Sequence, residues 1–154
     1  MRGVALVVVV AVVGLAGLAD GGVIAPSKPS QTVLLRPGAA CPGGGLVLDT
    51  RIAPDGTTSA FTIPDKHVLV LDSVAWAIGD AVSPGNTCGM VVRVGATIAW
   101  SDVVLSDSFG TCGRSITLPN IAVQSGTTLC VGVGSGGVVN SFVTRAHGFL
   151  VKDK

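Results

Sequence analysis

Apolar and polar residues alternate with a period of two along most of the chain after residue 30. Side chains at this spacing lie on opposite faces of an extended strand, so the pattern is typical of half-buried β-strands. After the first twenty residues, no stretch of ten or more has helical periodicity. The predicted strands are Gln31–Leu35, Leu46–Ile52, Ala60–Ile63, Val68–Ile78, Met90–Val94, Thr97–Val104, Ser115–Leu118, Thr128–Val133 and Val138–Val151, the last broken near residues 146–148.

Turn residues separate these runs at short intervals, for example at Pro54-Asp55-Gly56 and Pro119-Asn120. Gly95-Ala96 fits a two-residue type II′ hairpin, which joins antiparallel strands. The chain therefore predicts an all-β, antiparallel β-sandwich of about eight or nine strands, of the jelly-roll or Greek-key kind. A faint similarity between segments 61–71 and 121–131 favours two related halves, with chance alternation around a turn as the alternative.

Strict alternation also assigns side chains to the two faces of a strand. It places both tryptophans with aliphatic neighbours, so both are predicted to lie in the core, together with Phe61, Phe142 and Phe149. The two predicted faces are Val70, Asp72, Val74, Trp76 and Ile78 on one strand, and Ile98, Trp100, Asp102 and Val104 on another.

The N-terminus has the three parts of a secretory signal peptide. Met1-Arg2 is a positive start, residues 4–13 are almost wholly apolar, and the small residues 14–19 fit cleavage before Asp20. The alternative is a membrane anchor, but the apolar run is shorter than the roughly 20 residues that a spanning helix needs. The predicted organisation is a signal peptide at 1–19, a flexible Pro/Gly-rich leader with a possible first strand at 20–45, and one β-sandwich domain at 46–154.

Charge is sparse and balanced, with ten Lys and Arg against nine Asp, and no Glu. Nucleic acids and anionic membranes are bound by basic clusters, and none is present here, so neither is an expected partner. No stable membrane span is expected once the signal peptide is removed.

The four cysteines, Cys41, Cys88, Cys112 and Cys130, predict two disulfides, because an even number in an exported chain is typical of a disulfide framework. Three pairings are possible. The favoured one joins Cys88 to Cys112 and Cys41 to Cys130, since the first pair would close a loop around a hairpin. The wide spacing argues against a zinc site, and the chain is expected to be extracellular or periplasmic.

No motif for chemistry stands out. His67 and His147 are the only histidines, and neither has a carboxylate beside it in the chain. Ser135 lies in a sequence that lacks the first glycine of a nucleophile elbow. The glycines at 132–137 precede a predicted strand and not a helix, so they favour a turn over a phosphate loop. No catalytic residue, metal site or cofactor is predicted.

The expected function is therefore that of a secreted, non-enzymatic binding or structural module, with an extracellular protein or a glycan as its partner. One alternative is a small hydrolase that uses His67 or His147 with an Asp. Another is an inhibitor that presents the loop at Asp80–Gly89 or at Asp107–Gly113. The chain alone leaves the oligomeric state open. A row of exposed apolar residues on one sheet face would favour an assembly subunit.

Overall fold

The computed structural model describes residues 31–79, 83–135 and 141–153, and these residues form antiparallel sheets with no helix. The predicted signal peptide and the first part of the predicted leader lie outside these residues. Within the described ranges, no helix is long and apolar enough to cross a bilayer. The strands are β1 (Thr32–Arg36), β2 (Leu46–Val47), β3 (Thr50–Ile52), β4 (Thr58–Ala60), β5 (His67–Gly79), β6 (Thr87–Val94), β7 (Thr97–Leu105), β8 (Cys112–Gln124), β9 (Leu129–Ser135) and β10 (Ser141–Lys152).

Two sheets share one apolar core. The larger has six strands in the order β4-β3-β1-β10-β5-β8, and the smaller has four in the order β2-β9-β6-β7. Buried side chains from both sheets, such as Leu71 and Val123 of the larger and Met90 and Val131 of the smaller, belong to a single cluster. The all-β, antiparallel prediction is confirmed, and the two-sheet arrangement is compatible with the predicted sandwich.

Several strands begin or end at residues other than those that the sequence pattern predicted. The run at 46–52 divides into β2 and β3, which pair in different sheets. The predicted strand at 60–63 begins earlier and ends at Ala60. The predicted turn at Pro119-Asn120 is wrong, because both residues lie within the long strand β8. Asn120 takes a positive φ of 53° there, within the irregularity at which β8 shifts its register against β5.

A β-bulge at Asp72 reverses the side-chain alternation of β5. On the β10 side, Leu71 pairs with Gly148 and Ser73 pairs with His147, so Asp72 is one extra residue. The core therefore receives residues 69 and 71 before the bulge and residues 74, 76 and 78 after it. The prediction that Val70 and Asp72 share the face of Val74 and Trp76 is wrong, because alternation alone does not register an inserted residue.

A second bulge has the same effect on β7. Trp100 pairs with Val92 and Ile98 with Arg93, which leaves Ala99 as the extra residue. Trp100 is partly buried against the core, as predicted. Ile98 is turned outward and is 60% exposed, so its predicted place in the core is wrong.

The aromatic side chains otherwise lie much as expected. Trp76 is only 3% exposed and Phe149 only 2%. Phe61 and Phe142 are partly buried and pack against the core cluster. The predicted break in the last strand takes the form of a register shift between His147 and Gly148, across which β10 continues. A side chain on Gly148 would place its Cβ 2.4 Å from the carbonyl oxygen of Val70, so this position requires glycine.

The predicted disulfides are confirmed. Cys41 is bonded to Cys130, and Cys88 is bonded to Cys112. The first bond fastens the loop before β2 to β9. The second joins β6 of the smaller sheet to β8 of the larger one, so it ties the two sheets together covalently. Two disulfides are typical of extracellular proteins.

Candidate functional site

The two histidines lie far apart in the larger sheet. His147 pairs with Ser73, whereas His67 pairs with Lys152 at the far end of the same ladder. Five residues of β10 separate these positions, roughly 17 Å at about 3.4 Å per residue. The ring of His67 has its Nδ1 2.9 Å from the backbone oxygen of Asp65, so it donates to a turn carbonyl. The histidines therefore do not form one site.

His147 has a carboxylate partner that only the fold supplies. Its Nδ1 lies 2.7 Å from Oδ1 of Asp72, the bulge residue of β5. The hydroxyl of Ser73 donates to the same oxygen at 3.0 Å. In a nucleophilic triad the serine would instead contact the imidazole. The structure thus brings together a histidine, an aspartate and a serine on an outer sheet face, without the serine-to-histidine contact that would activate the hydroxyl.

The aspartates of two turns have local structural roles. Asp55 accepts hydrogen bonds from the backbone and side chain of Thr57, which lower the pKa of its carboxyl group. Asp107 accepts from the backbone N–H groups of Phe109 and Thr111. Residues 132–135 lie in β9, and the rest of the glycine-rich turn is outside the described residues. Among the residues that the structure describes, no three His, Cys, Asp or Glu gather as metal ligands.

An ion pair joins the two sheets beside the Cys88–Cys112 bond. Arg114 of β8 donates through Nε to Oδ2 of Asp102 in β7 at 2.8 Å, and its NH2 group contacts the second carboxylate oxygen. Asp102 is buried, with 8% exposure, whereas the Arg114 side chain is half-exposed. The hydrogen bond from Arg114 is the main cause of a lowered pKa at Asp102, and the same bond raises the pKa of Arg114. Asp102 is therefore a structural anion.

The most distinctive surface is the outward face of β7, which lies along the free edge of the smaller sheet. We call this surface the β7 edge and define it by Ile98, Val103 and Leu105. These side chains are 60%, 65% and 68% exposed, and they lie on the outward face of the smaller sheet. Beside them the sheet has little side-chain bulk, because Gly89 pairs with Val103 and Gly134 pairs with Gly89. The row of exposed apolar side chains that would favour an assembly subunit is thus present.

β7 is also the last strand of its sheet, and its only described pairing is with β6. It is nine residues long, and the segment Thr97–Leu105 contains neither proline nor lysine, which commonly protect strand edges. The outer strands of the larger sheet differ. β4 has three residues, and β8 is interrupted by Pro119 and the positive-φ Asn120. β7 is therefore a long free edge strand whose protection is limited to the bulge at Ala99 and the inward-turned charge of Asp102.

The loop that follows β7 extends this surface. Phe109 is 84% exposed at its tip. The backbone beneath it is fixed, because Asp107 N donates to Thr111 O at 2.9 Å and Gly110 N donates to Asp107 O at 3.1 Å. The Cys88–Cys112 bond anchors the end of the loop. A large apolar side chain held on an ordered turn is the kind of group that inserts into a partner's pocket.

The described surface also contains a small cleft and a larger groove. A cleft of about 250 Å³ lies beside the core, lined mainly by apolar side chains such as Leu48, Phe61 and Leu129. Its volume is below the range of about 300–1,000 Å³ usual for small-molecule sites. A larger groove of about 720 Å³ lies at the end of β1 in the six-stranded sheet. No protein-family model matches the chain, and a search of curated proteins finds no significant match.

Proposed function

We propose that this chain is an exported, non-enzymatic β-sandwich that acts as an assembly module, with the β7 edge of one copy pairing with the β7 edge of another. The observation that carries the proposal is the long outer strand, free of proline and lysine, with exposed Ile98, Val103 and Leu105. The predicted signal peptide and the two disulfides support export to an oxidising compartment.

The strand is compatible with its own copy. Antiparallel pairing about a twofold axis would continue the four-stranded sheet into eight strands, with the same patch on both partners. The one charged residue of β7 is Asp102, which is turned inward and bound by Arg114. No like charges would therefore face each other along the new pairing, whereas opposed like charges would destabilise it.

The loop between β7 and β8, with Phe109 at its tip, would add a second contact to the interface between the two copies. It follows Leu105 at the C-terminal end of β7, so in an antiparallel pair it would lie beside the N-terminal end of the partner strand. There Ile98 of the partner is 60% exposed and could receive an aromatic side chain. Each copy would contribute one such contact, which gives two anchors per dimer.

The experiment is sedimentation equilibrium of the processed protein over a wide concentration range. We expect a monomer–dimer equilibrium, and we expect Val103→Lys to shift it towards monomer by placing a charge in each half of the interface. Val143→Lys is the matched control, because Val143 is 59% exposed on the other sheet. A wild-type protein that stays monomeric at every concentration, or equal weakening by both substitutions, would overturn the proposal.

A second candidate is a secreted inhibitor that presents Phe109. It is favoured by the combination of a fully presented aromatic side chain and a backbone held by Asp107. We expect inhibition of a protease with a deep apolar specificity pocket, lost in Phe109→Ala. Digestion assays with chymotrypsin as the probe would test it. No inhibition by the wild-type protein, or retained inhibition by the variant, would reject this candidate.

A further inference from the structure

A groove of about 720 Å³ lies at the end of β1 in the six-stranded sheet, away from the β7 edge. It opens where β1 ends. β1 pairs with β10 over residues 146–149, so the segment Phe142–Arg145 of β10 pairs with β5 on one side only. Its other side borders the groove. Apolar walls are provided by Leu34, Ile52 and Pro54. The volume is within the range of small-molecule sites.

Two arginines line this groove. Leu35 pairs with Ala146, so the next step of the antiparallel ladder brings Arg36 of β1 beside Arg145 of β10. Both side chains are exposed, and neither makes an ion pair with any residue in the described part of the chain. Like charges on neighbouring strands are destabilising. The arrangement therefore costs stability unless an anion lies between the two guanidinium groups.

The carboxylates on the adjoining loops are already engaged. Asp49 accepts from the hydroxyl of Thr50 at 3.1 Å and from Ala39 N at 3.3 Å. Asp55 accepts from Thr57, both backbone and hydroxyl. Within the described part of the chain, neither carboxylate forms an ion pair with Arg36 or Arg145.

An unpaired buried hydroxyl lines the same groove. Thr144 is only 2% exposed, and its Oγ1 has no hydrogen-bond partner among the described residues. Buried polar groups are almost always hydrogen-bonded, and an orphaned one indicates a missing partner. Because successive side chains of a strand lie on opposite faces, the Thr144 hydroxyl is on the inward face of β10, whereas the Arg145 guanidinium is on the outward face.

We propose that this groove binds an amphiphilic organic anion, a molecule with a carboxylate or sulfate-type group and an apolar body. Arg36 and Arg145 hold the anionic group through charge-assisted hydrogen bonds. The apolar body lies against Leu34 and Ile52, which are on the same outward face of the sheet as the two arginines. This inference is independent of the β7 contact, because no residue of β7 lines the groove.

The test is a fluorescence titration with 8-anilinonaphthalene-1-sulfonate, which combines a sulfonate with an apolar ring system. N-phenyl-1-naphthylamine, which has the same rings without the sulfonate, is the neutral control. Amide chemical shifts recorded during the titration locate the bound dye. The variants are Arg36→Gln and Arg145→Gln, singly and together. Lys152→Gln is the matched control, since it removes one positive charge from the same strand roughly 24 Å away at about 3.4 Å per residue.

We expect the sulfonate dye to perturb amides of β1 and β10 and each arginine substitution to weaken its binding about tenfold. Lys152→Gln should leave the affinity unchanged, and the neutral dye should bind much more weakly. Without ligand, the arginine variants should unfold at a slightly higher temperature, because the charge repulsion is gone. Equal dye affinity in wild type and double variant, or shifts confined to β7, would overturn the inference. Dye binding retained in Val103→Lys would show that this site does not depend on assembly.

Discussion

The Nδ1 atom of His147 lies 2.7 Å from Oδ1 of Asp72, although 75 positions separate the two residues in the chain. The contact exists because Asp72 is the inserted residue of a bulge in β5 and His147 lies at the matching register shift in β10. The pair therefore lies where the pairing of β5 with β10 shifts by one residue. At this point the side chains of β5 switch between the inner and outer faces of the larger sheet.

We expect Asp72 and His147 to be energetically coupled, but weakly. The side chains are 31% and 42% exposed, and water screens such pairs. A double-mutant cycle with Asp72→Ala and His147→Ala, measured by urea denaturation, should give a coupling of about 0.5 kcal/mol. A cycle with His67→Ala in place of His147→Ala should give none, because that ring contacts a backbone oxygen. Equal coupling in the two cycles would contradict this assignment.

The register shift at the bulge also leaves no room for a side chain at Gly148. A Cβ there would lie 2.4 Å from Val70 O and 3.2 Å from Leu71 Cα, both backbone atoms that cannot move independently. Gly148→Ala should destabilise the protein by about 1–3 kcal/mol, as overpacking does. The control is Gly134→Ala, since a Cβ at Gly134 meets nothing within 4 Å. Thermal unfolding of both variants is the measurement, and a fully stable Gly148→Ala would show that the register there can shift.

The two disulfides should differ in their effect on stability. Cys41 and Cys130 are 89 positions apart, and Cys88 and Cys112 are 24 apart. In the chain-entropy model, the longer loop stabilises by about 4.6 kcal/mol and the shorter by about 3.5 kcal/mol. Denaturant unfolding of the two paired Cys→Ser variants should show the larger loss for the Cys41–Cys130 pair. The reverse order would mean that the tie between the two sheets outweighs loop entropy.

Because of the Asp102–Arg114 pair, the free energy of unfolding should decrease at acidic pH. The pKa of Asp102 is lowered in the folded protein, so its contribution is present above the unfolded value of about 3.9 and is lost as the pH falls through the folded value. Asp102→Asn should cost ~1 kcal/mol near neutrality, a modest figure because the guanidinium is half-exposed. Urea denaturation of wild type and variant as a function of pH measures this cost.

The difference between wild type and Asp102→Asn should shrink below about pH 4, where the unfolded carboxyl begins to bind protons. Asp65→Asn serves as the control, because Asp65 is an exposed turn residue and its carboxylate makes no ion pair with any described residue. A constant difference between wild type and Asp102→Asn across this range would show that the ionised form of Asp102 is not the stabilising one.

Local patterns in the sequence predicted the all-β class, the antiparallel pairing and most of the strands, while the cysteine count and the hairpin between Cys88 and Cys112 favoured the two disulfides that the structure contains. Period-two alternation and turn residues depend on neighbours in the chain, so they can be read without knowing the fold. The burial of Trp76 followed from the same rule. The rule failed at Val70 and Ile98, because a bulge separates each of them from the rest of its predicted face. One inserted residue moves every side chain beyond it to the other face of the sheet.

The candidate sites depended on the fold. The partner of His147, the neighbouring positions of Arg36 and Arg145, and the unpaired edge of β7 all follow from which strands lie side by side and in what register. Register is set by contacts between segments tens of residues apart, and the composition of one segment does not encode its neighbour. The sequence therefore determined that this chain forms disulfide-linked β-sheets, and the tertiary structure decided which of its surfaces are available for contact.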